Sequence, residues 1–365
     1  MTFMDYNKIF KNAFNAQING DYKKSELLYN KLLKTDPHKN IKANIYYNLG
    51  LLMMNMGNYK KAVSYFDDSN RLIQNKQNDW NKSLSLLNLG KWYEGMSLYN
   101  NRYANDNSVN ITSVRFPKLP IEFIEDANKA LDKNLLVLNE QGFGDQLLFS
   151  IVLEKLSKIV KSATIQVSED TFDLFSNIYN FDNIKFVIFE SISLEDVNKH
   201  DMYIGLGTVF SSLYELNTSS FNENFYKTPN SKKIGVCWAA NKKSPSASKR
   251  SIDPKILKQI DYELVSLQYG CGEEIGVENY TPKNLYESWK RMDGLDAVIT
   301  VDSVMAHIAG LKGIPTLLVI NNNFMDWRWK YRDVNESNYS MFYPMVEIVD
   351  SKENLNDILN ELLEL

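Results

Sequence analysis

In the first hundred residues the apolar and aromatic positions fall into stripes that suit stacked helices, and the pattern itself repeats. The segment NGDYKKSELLYNKLL, beginning at Asn19, returns as MGNYKKAVSYFDDSN from Met56 and as LGKWYEGMSLYNNRY from Leu89. Each copy has a turn glycine (Gly20, Gly57, Gly90), then an aromatic (Tyr22, Tyr59, Trp92), a small residue (Ser25, Ala62, Gly95) and a second aromatic (Tyr29, Phe66, Tyr99). The glycines stand 37 and 33 residues apart. These spacings bracket the tetratricopeptide period of about 34 residues, and Pro37 follows the first copy as that helix-turn-helix unit expects. The pattern predicts paired helices over residues 1–105, with the stripes packed as core rather than forming a cofactor box. The concave face of such an array suits a peptide or a protein partner.

After Asn105 the period changes. The stretch NDNSVNITSVRFPKLP, with Pro117 and Pro120, opens a connector expected over 106–133. Short β-rich runs then alternate with helical stretches such as LLFSIVLEKLSKIV: LLVLN (135–139), ATIQVS (163–168), IKFVIF (184–189) and MYIGLG (202–207). Beyond a second irregular stretch, NTSSFNENFYKTPNSKK, come KIGVCWA (233–239), ELVSLQY (263–269), AVITVD (297–302) and TLLVIN (316–321), with a closing helix NLNDILNELLEL. Apolar runs separated by helices predict parallel sheets. The expected architecture is a helical array followed by two Rossmann-like α/β domains, 134–230 and 231–365, with ligands beyond the carboxyl ends of the strands.

Composition narrows the function classes. The 365 residues include 44% apolar and 24% charged residues, an ordinary globular balance. Lys plus Arg is 41 against 45 for Asp plus Glu, a net charge of −4, so a dedicated nucleic-acid binder is not expected. Cys237 and Cys271 are the two cysteines, too few for a disulfide framework or a cysteine zinc site, and a reducing, cytoplasmic setting fits them. The opening MTFMDYNKIFKNAF is polar and amphipathic, and no apolar run approaches the roughly 18 residues of a membrane span. No D-x-D, H-E-x-x-H or Cys/His ligand spacing is present, which predicts chemistry without a metal or a bound cofactor.

Four loops follow strands and carry candidate chemistry. In EQGFGDQ, Gly142 and Gly144 allow close backbone approach, while Asp145 suits either a helix cap or a general base. Its third fingerprint glycine is replaced by Leu147 and no P-loop lysine follows, so a dinucleotide or ATP site is not indicated. ANKKSPSASKRS places Lys242, Lys243, Lys249 and Arg250 among serines, which fits an anion clamp or a solvated loop. In AVITVDSVMAHIAGLKGIP a helix begins at Ser303, and its amino end, with His307 one turn on, suits a diphosphate; Asp302 reads as a cap or a charge partner. In NNNFMDWRWKYRD, aromatic and basic residues alternate, which fits either stacking on a base or sugar or a packing strip.

The ordered set EQGFGDQLLFS, GVCWAANKKSPSASKRSI, SLQ, DAVITVDSVMAHIAGLKGIPT, DWRW and YP, following the repeats, resembles the tetratricopeptide-containing glycosyltransferases related to the bacterial heptosyltransferase family (glycosyltransferase family 9). The resemblance spans nearly the whole chain. It implies the GT-B architecture and an inverting, metal-independent transfer from a nucleoside-diphosphate sugar. Asp145 would then be the base, with Gly142, Gly144 and Gln146 on the acceptor side. Asn241, Lys242, Lys243, Arg250, Ser251, Gln268, Asp302, Ser303, Ala306 and His307 would surround the donor, with Trp238, Trp327 and Trp329 as candidates for stacking the base or sugar. The loop 241–249 departs from the family in carrying KKSPSASK where a histidine and an aspartate are more usual. The acceptor side remains open to a lipopolysaccharide core, a surface glycan, a protein side chain or a modified nucleobase. The rival readings are a non-catalytic repeat scaffold on the same fold, or a sugar-nucleotide epimerase or hydrolase.

Overall fold

The computed structural model describes residues 6–103, 119–188, 193–215, 230–241, 247–270, 272–320, 325–329, 331–333 and 337–364. The chain divides into two compact units, Met1–Phe116 and Pro117–Leu365.

The described residues of the first unit form six α-helices: α1 Tyr6–Ile18, α2 Tyr22–Leu33, α3 Lys39–Asn55, α4 Tyr59–Leu72, α5 Lys76–Asn88 and α6 Trp92–Tyr99. The three repeat glycines end α1, α3 and α5 with φ of +77°, +71° and +74°, a region that residues with a Cβ rarely enter. Asp21 and Asn58 then cap α2 and α4, accepting the backbone N–H groups of Lys24 and Lys61, whereas Lys91 at the third position provides no such bond. The second aromatics, Tyr29, Phe66 and Tyr99, are fully buried, so the stripes are core packing as expected. The small-residue position has a steric cause in the third copy, where a Cβ on Gly95 would lie 2.7 Å from Leu87 Cδ2.

The second unit begins with a sheet of five parallel strands: β1 Glu122–Phe123, β2 Asn134–Leu138, β3 Ser162–Val167, β4 Ile184–Ile188 and β5 Met202–Gly205. Their order is β1-β5-β2-β3-β4. The associated helices are α7 Phe143–Phe149, α8 Leu153–Ile159, α9 Glu169–Ile178, α10 Leu194–Val197 and α11 Leu206–Leu213. Two details depart from the sequence pattern. The segment read as connector contains β1, which pairs with β5 at the sheet edge; two residues are too few to show a period. The helix expected over 147–160 starts earlier, at Phe143, and a 3-10 turn at Ser150–Val152 divides it into α7 and α8.

The second sheet comprises β6 Lys233–Cys237, β7 Glu263–Ser266, β8 Ala297–Thr300, β9 Thr316–Ile320, β10 Tyr331–Asp333, β11 Ser337–Ser340 and β12 Val346–Asp350. Its order is β10-β11-β12-β9-β8-β6-β7. The five strands from β12 to β7 are parallel, while β11 and β10 add an antiparallel edge that the sequence pattern does not announce. Its helices are α12 Ala247–Arg250, α13 Leu285–Arg291, α14 Val304–Lys312 and α15 Leu355–Glu364. Strand β8 is buried along its whole length, the mark of a strand covered on both faces. This is the expected fold class, a helical array followed by two Rossmann-like α/β sheets. Among the described residues no helix is long and apolar enough to cross a membrane.

Both sheets reverse strand order at one place, β2 against β5 and β6 against β8. Such switch points open a crevice beyond the carboxyl ends of the strands, where ligands of open α/β sheets bind. The loop EQGFGDQ leaves β2, ANKKSPSASKRS leaves β6, and the turn at Asp302 and Ser303 leaves β8. Three of the four candidate loops therefore sit at switch points.

Candidate functional site

At the β2 switch point the chain is held by its own polar groups. Glu140, buried, accepts the Gly207 N–H at 2.6 Å through Oε1, tying the loop to the start of α11. Gln141 has φ +64°, an uncommon conformation for a residue with a Cβ. Gly142 caps α7, and its N–H donates to Asp145 Oδ2 at 3.1 Å. The Asp145 carboxylate thus acts within the cap of its own helix. Its other oxygen, Oδ1, accepts Arg328 Nε at 2.6 Å and forms an ion pair with Arg328 Nη2. The two side chains are 16% and 21% exposed, so water reaches the pair only in part.

Arg328 belongs to a 3-10 turn, Trp327–Trp329. It also donates to Asp326 Oδ1 at 2.6 Å through Nη1 and to Gln141 Oε1 at 3.4 Å through Nη2. The fourth loop therefore meets the first. Sequence reasoning placed Arg328 only in a basic-aromatic alternation; its pairing with Asp145 joins positions 183 apart and leaves no local signal.

At the β8 switch point Ser303 caps α14, but its hydroxyl makes no cap bond; it lies 3.2 Å from the Thr300 hydroxyl and 3.8 Å from Cys237 Sγ. Asp302 Oδ1 accepts the Trp329 indole N–H at 2.9 Å, and Oδ2 lies 3.6 Å from Arg250 Nη1, which also donates to the Asp302 carbonyl at 3.2 Å. Burial, and then the neighbouring Asp326 charge, raise the Asp302 pKa against the opposing pull of Arg250. Asp302 is accordingly a partner for the arginine and the indole. Ala306 is fully buried.

His307 lies one turn into α14, with a ring 4.5 Å from that of Trp329 and Nδ1 3.0 Å from the Tyr343 hydroxyl. Burial first, then the Arg328 and Arg250 charges, push its pKa down to about 3, so the imidazole is neutral at ordinary pH. Its ring occupies the space beside Gly144: a Cβ there would lie 2.8 Å from His307 Cδ2 and 2.9 Å from Nε2. In this structure Gly144 therefore makes room for the histidine, rather than leaving an opening for a ligand. Gly144, Asp145, Arg250, Asp302, His307, Arg328 and Trp329 form one connected cluster.

The remaining candidates lie around it or away from it. Gln268 Oε1 accepts the N–H groups of Trp238 (3.1 Å) and Ala239 (2.8 Å), shaping the start of the β6 loop. Ser251 accepts the Ala240 N–H at 3.1 Å and donates to the Ala247 carbonyl at 2.8 Å, bracketing the same loop. Asn241 is exposed at its edge, while Lys242 and Lys243 lie outside the described residues. Gln146 is turned into the first sheet layer, its amide oxygen accepting from the Thr171 hydroxyl at 3.1 Å, so it serves the start of α9. Trp238, Trp327 and Trp329 are 3%, 1% and 0% exposed. Their faces are already covered, which makes this aromatic set a packing strip in the present arrangement. Among the described residues no group of three or more His, Cys, Asp or Glu side chains is placed to hold a metal ion.

Residues 43–76 match the tetratricopeptide repeat family model. No protein of curated function matches the sequence. Among solved structures, the chain is similar to Escherichia coli ADP-heptose LPS heptosyltransferase II, with 11% identity over 63% of this chain and 98% of that one and a TM-score of 0.43. It is also similar to a family 9 glycosyl transferase from Veillonella parvula, with 12% identity, coverage of 65% and 91%, and a TM-score of 0.40. A mutant of the Thermobaculum terrenum O-GlcNAc transferase is similar over 90% of this chain and 84% of its own, with 12% identity and a TM-score of 0.26.

Proposed function

We propose that the chain is an inverting glycosyltransferase that moves a sugar from a nucleoside-diphosphate sugar to an acceptor hydroxyl, with no metal or bound cofactor. The observation that carries this reading is the clustering of Asp145, through Arg328 and Trp329, with Asp302, Arg250 and the start of α14 at the switch points of the two sheets. In the proposed step the acceptor oxygen bonds the anomeric carbon from the face opposite the diphosphate, and its proton passes to Asp145. The bond from the anomeric carbon to the phosphate oxygen breaks, and the nucleoside diphosphate departs with the electron pair. Negative charge grows on the leaving group, where Arg250, the lysines of the β6 loop and the first-turn N–H groups of α14 stabilise it. The neutral His307 contributes a dipole and no charge. The acceptor is a glycan or a protein hydroxyl, and the repeat array positions it or a partner that delivers it.

The test is calorimetric titration of the full chain with ADP, GDP and UDP and with their glucose conjugates, in the presence of a chelator, followed by assay of sugar release to water. The expected result is micromolar binding of one nucleotide, with Asp145→Asn abolishing release while its affinity stays within a few fold. Loss of binding and release together in Asp145→Asn would make that residue structural. No binding by any of the six compounds would favour a scaffold in which the repeats are the working surface.

A further inference from the structure

Resting on the reading of Asp145 as base, we infer that Arg328 is its positioning residue and that Asp145 Oδ2 is the oxygen that receives the acceptor proton. An ionised carboxylate offers about four acceptor positions, two on each oxygen. On Oδ1, Arg328 fills both, with Nε at 2.6 Å and Nη2 in the ion pair. On Oδ2, the Gly142 N–H at 3.1 Å fills one. Among the described residues the remaining acceptor position is therefore on Oδ2.

The guanidinium does more than neutralise. Its planar fork fixes the plane of the carboxylate, because two donors on one oxygen and a third on the other remove the freedom to turn about the last side-chain bond. Arg328 is itself held from the far side by Asp326 at 2.6 Å, and its Nη2 reaches Gln141 Oε1 at 3.4 Å. Gln141 Nε2 lies 3.5 Å from Glu140 Oε2, and Glu140 is anchored on the Gly207 N–H. A polar chain thus runs from α11 through the β2 loop to the Trp327–Trp329 turn, crossing between the sheets at Asp145. It keeps the base in one orientation before substrate arrives. A lysine at position 328 would supply a point charge without the fork. Its effect separates charge from orientation.

The experiment compares Asp145→Asn, Arg328→Ala, Arg328→Lys and the Asp145→Asn/Arg328→Ala double variant in the full chain. Sugar release from ADP-, GDP- and UDP-glucose is measured alongside diphosphate affinity and thermal unfolding. Arg328→Ala is expected to lower turnover by about tenfold to a hundredfold, the scale of a small misplacement of a reacting group. The donor KM and diphosphate affinity should stay within about twofold, and Arg328→Lys should recover part of the loss. The double variant should release sugar no more slowly than Asp145→Asn and melt no lower than the less stable single variant.

Unchanged turnover in Arg328→Ala overturns the inference. A loss of diphosphate affinity equal to the loss of turnover also overturns it, because Arg328 would then be a donor ligand. Strictly additive melting losses deny that the two side chains act as a pair, with no substrate needed to see it. Full activity in Asp145→Asn is a different failure: it removes Asp145 as base, while coupled melting would keep the pair.

Discussion

His307 makes the stability of the α/β unit sensitive to acid. Its ring is 3% exposed and lies between Trp329 and Tyr343, and burial followed by the Arg328 and Arg250 charges holds its pKa at about 3, against 6.5 for an unperturbed histidine. A folded pKa below the unfolded one means that the unfolded chain takes up a proton the folded chain refuses. The contribution is complete above the unfolded pKa and is lost as pH falls toward the folded one. Each pH unit in that window removes about 1.4 kcal/mol, and the window opens only near the unfolded pKa, so acidification from pH 7 to pH 4 removes about 3 kcal/mol. Against the 5–15 kcal/mol of a typical domain that is a large share. Urea unfolding of the full chain and of His307→Asn at several pH values between 7 and 4, followed by tryptophan emission, isolates the term. Asn keeps a polar atom where Nδ1 meets the Tyr343 hydroxyl but does not titrate, and the other ionisable groups are common to both proteins. The wild-type advantage should shrink steadily by about 3 kcal/mol across this range. A stability difference that stays constant from pH 7 to 4 would refute the argument, because the ring would then titrate alike in both states.

Gly144→Ala should destabilise the chain by about 1–3 kcal/mol, the usual cost of overpacking, since the new methyl would meet a His307 ring braced by Trp329 and Tyr343; an unchanged melting temperature would show that the contact yields. In the array, Gly50→Ala should cost a similar amount, because a Cβ there would fall 2.4 Å from Phe66 Cε1; circular dichroism on heating reads it. If Arg250 meets the donor diphosphate, Arg250→Ala should weaken nucleotide binding by about 1.5–3 kcal/mol, the range for hydrogen bonds to charged groups, and calorimetry measures it directly. Transfer should proceed undiminished with excess chelator, and restoration of lost activity by a divalent cation would overturn the metal-free reading.

What the sequence discloses and what it hides follows the range of the interaction. Strands β2, β6 and β8 are readable because a strand covered on both faces is largely apolar, and LLVL, IGVC and AVI are. The repeat glycines are readable because a positive φ is a local demand that glycine meets, three times over. By contrast β1 has two residues, and the β10–β11 edge is short and polar; their pairing is imposed by the strands beside them, not by their own pattern. The site divides in the same way. Ser303 and His307 share one helix, so spacing alone sets them a turn apart. The small residue at Gly144 is visible in the sequence, but its reason, the His307 ring, is 163 positions away. Alternating tryptophan and arginine looks the same whether the rings lie open or enclosed, because residue type does not encode burial; only the packing of Trp329 against His307 and Tyr343 decides it. Arg328 reaches Asp145 because the topology brings the end of β2 against the segment after β9. The cluster is therefore a product of strand order more than of motif, and substitutions that leave every motif intact but loosen the contact between the sheets should displace Asp145 from Arg328 as surely as changes beside it.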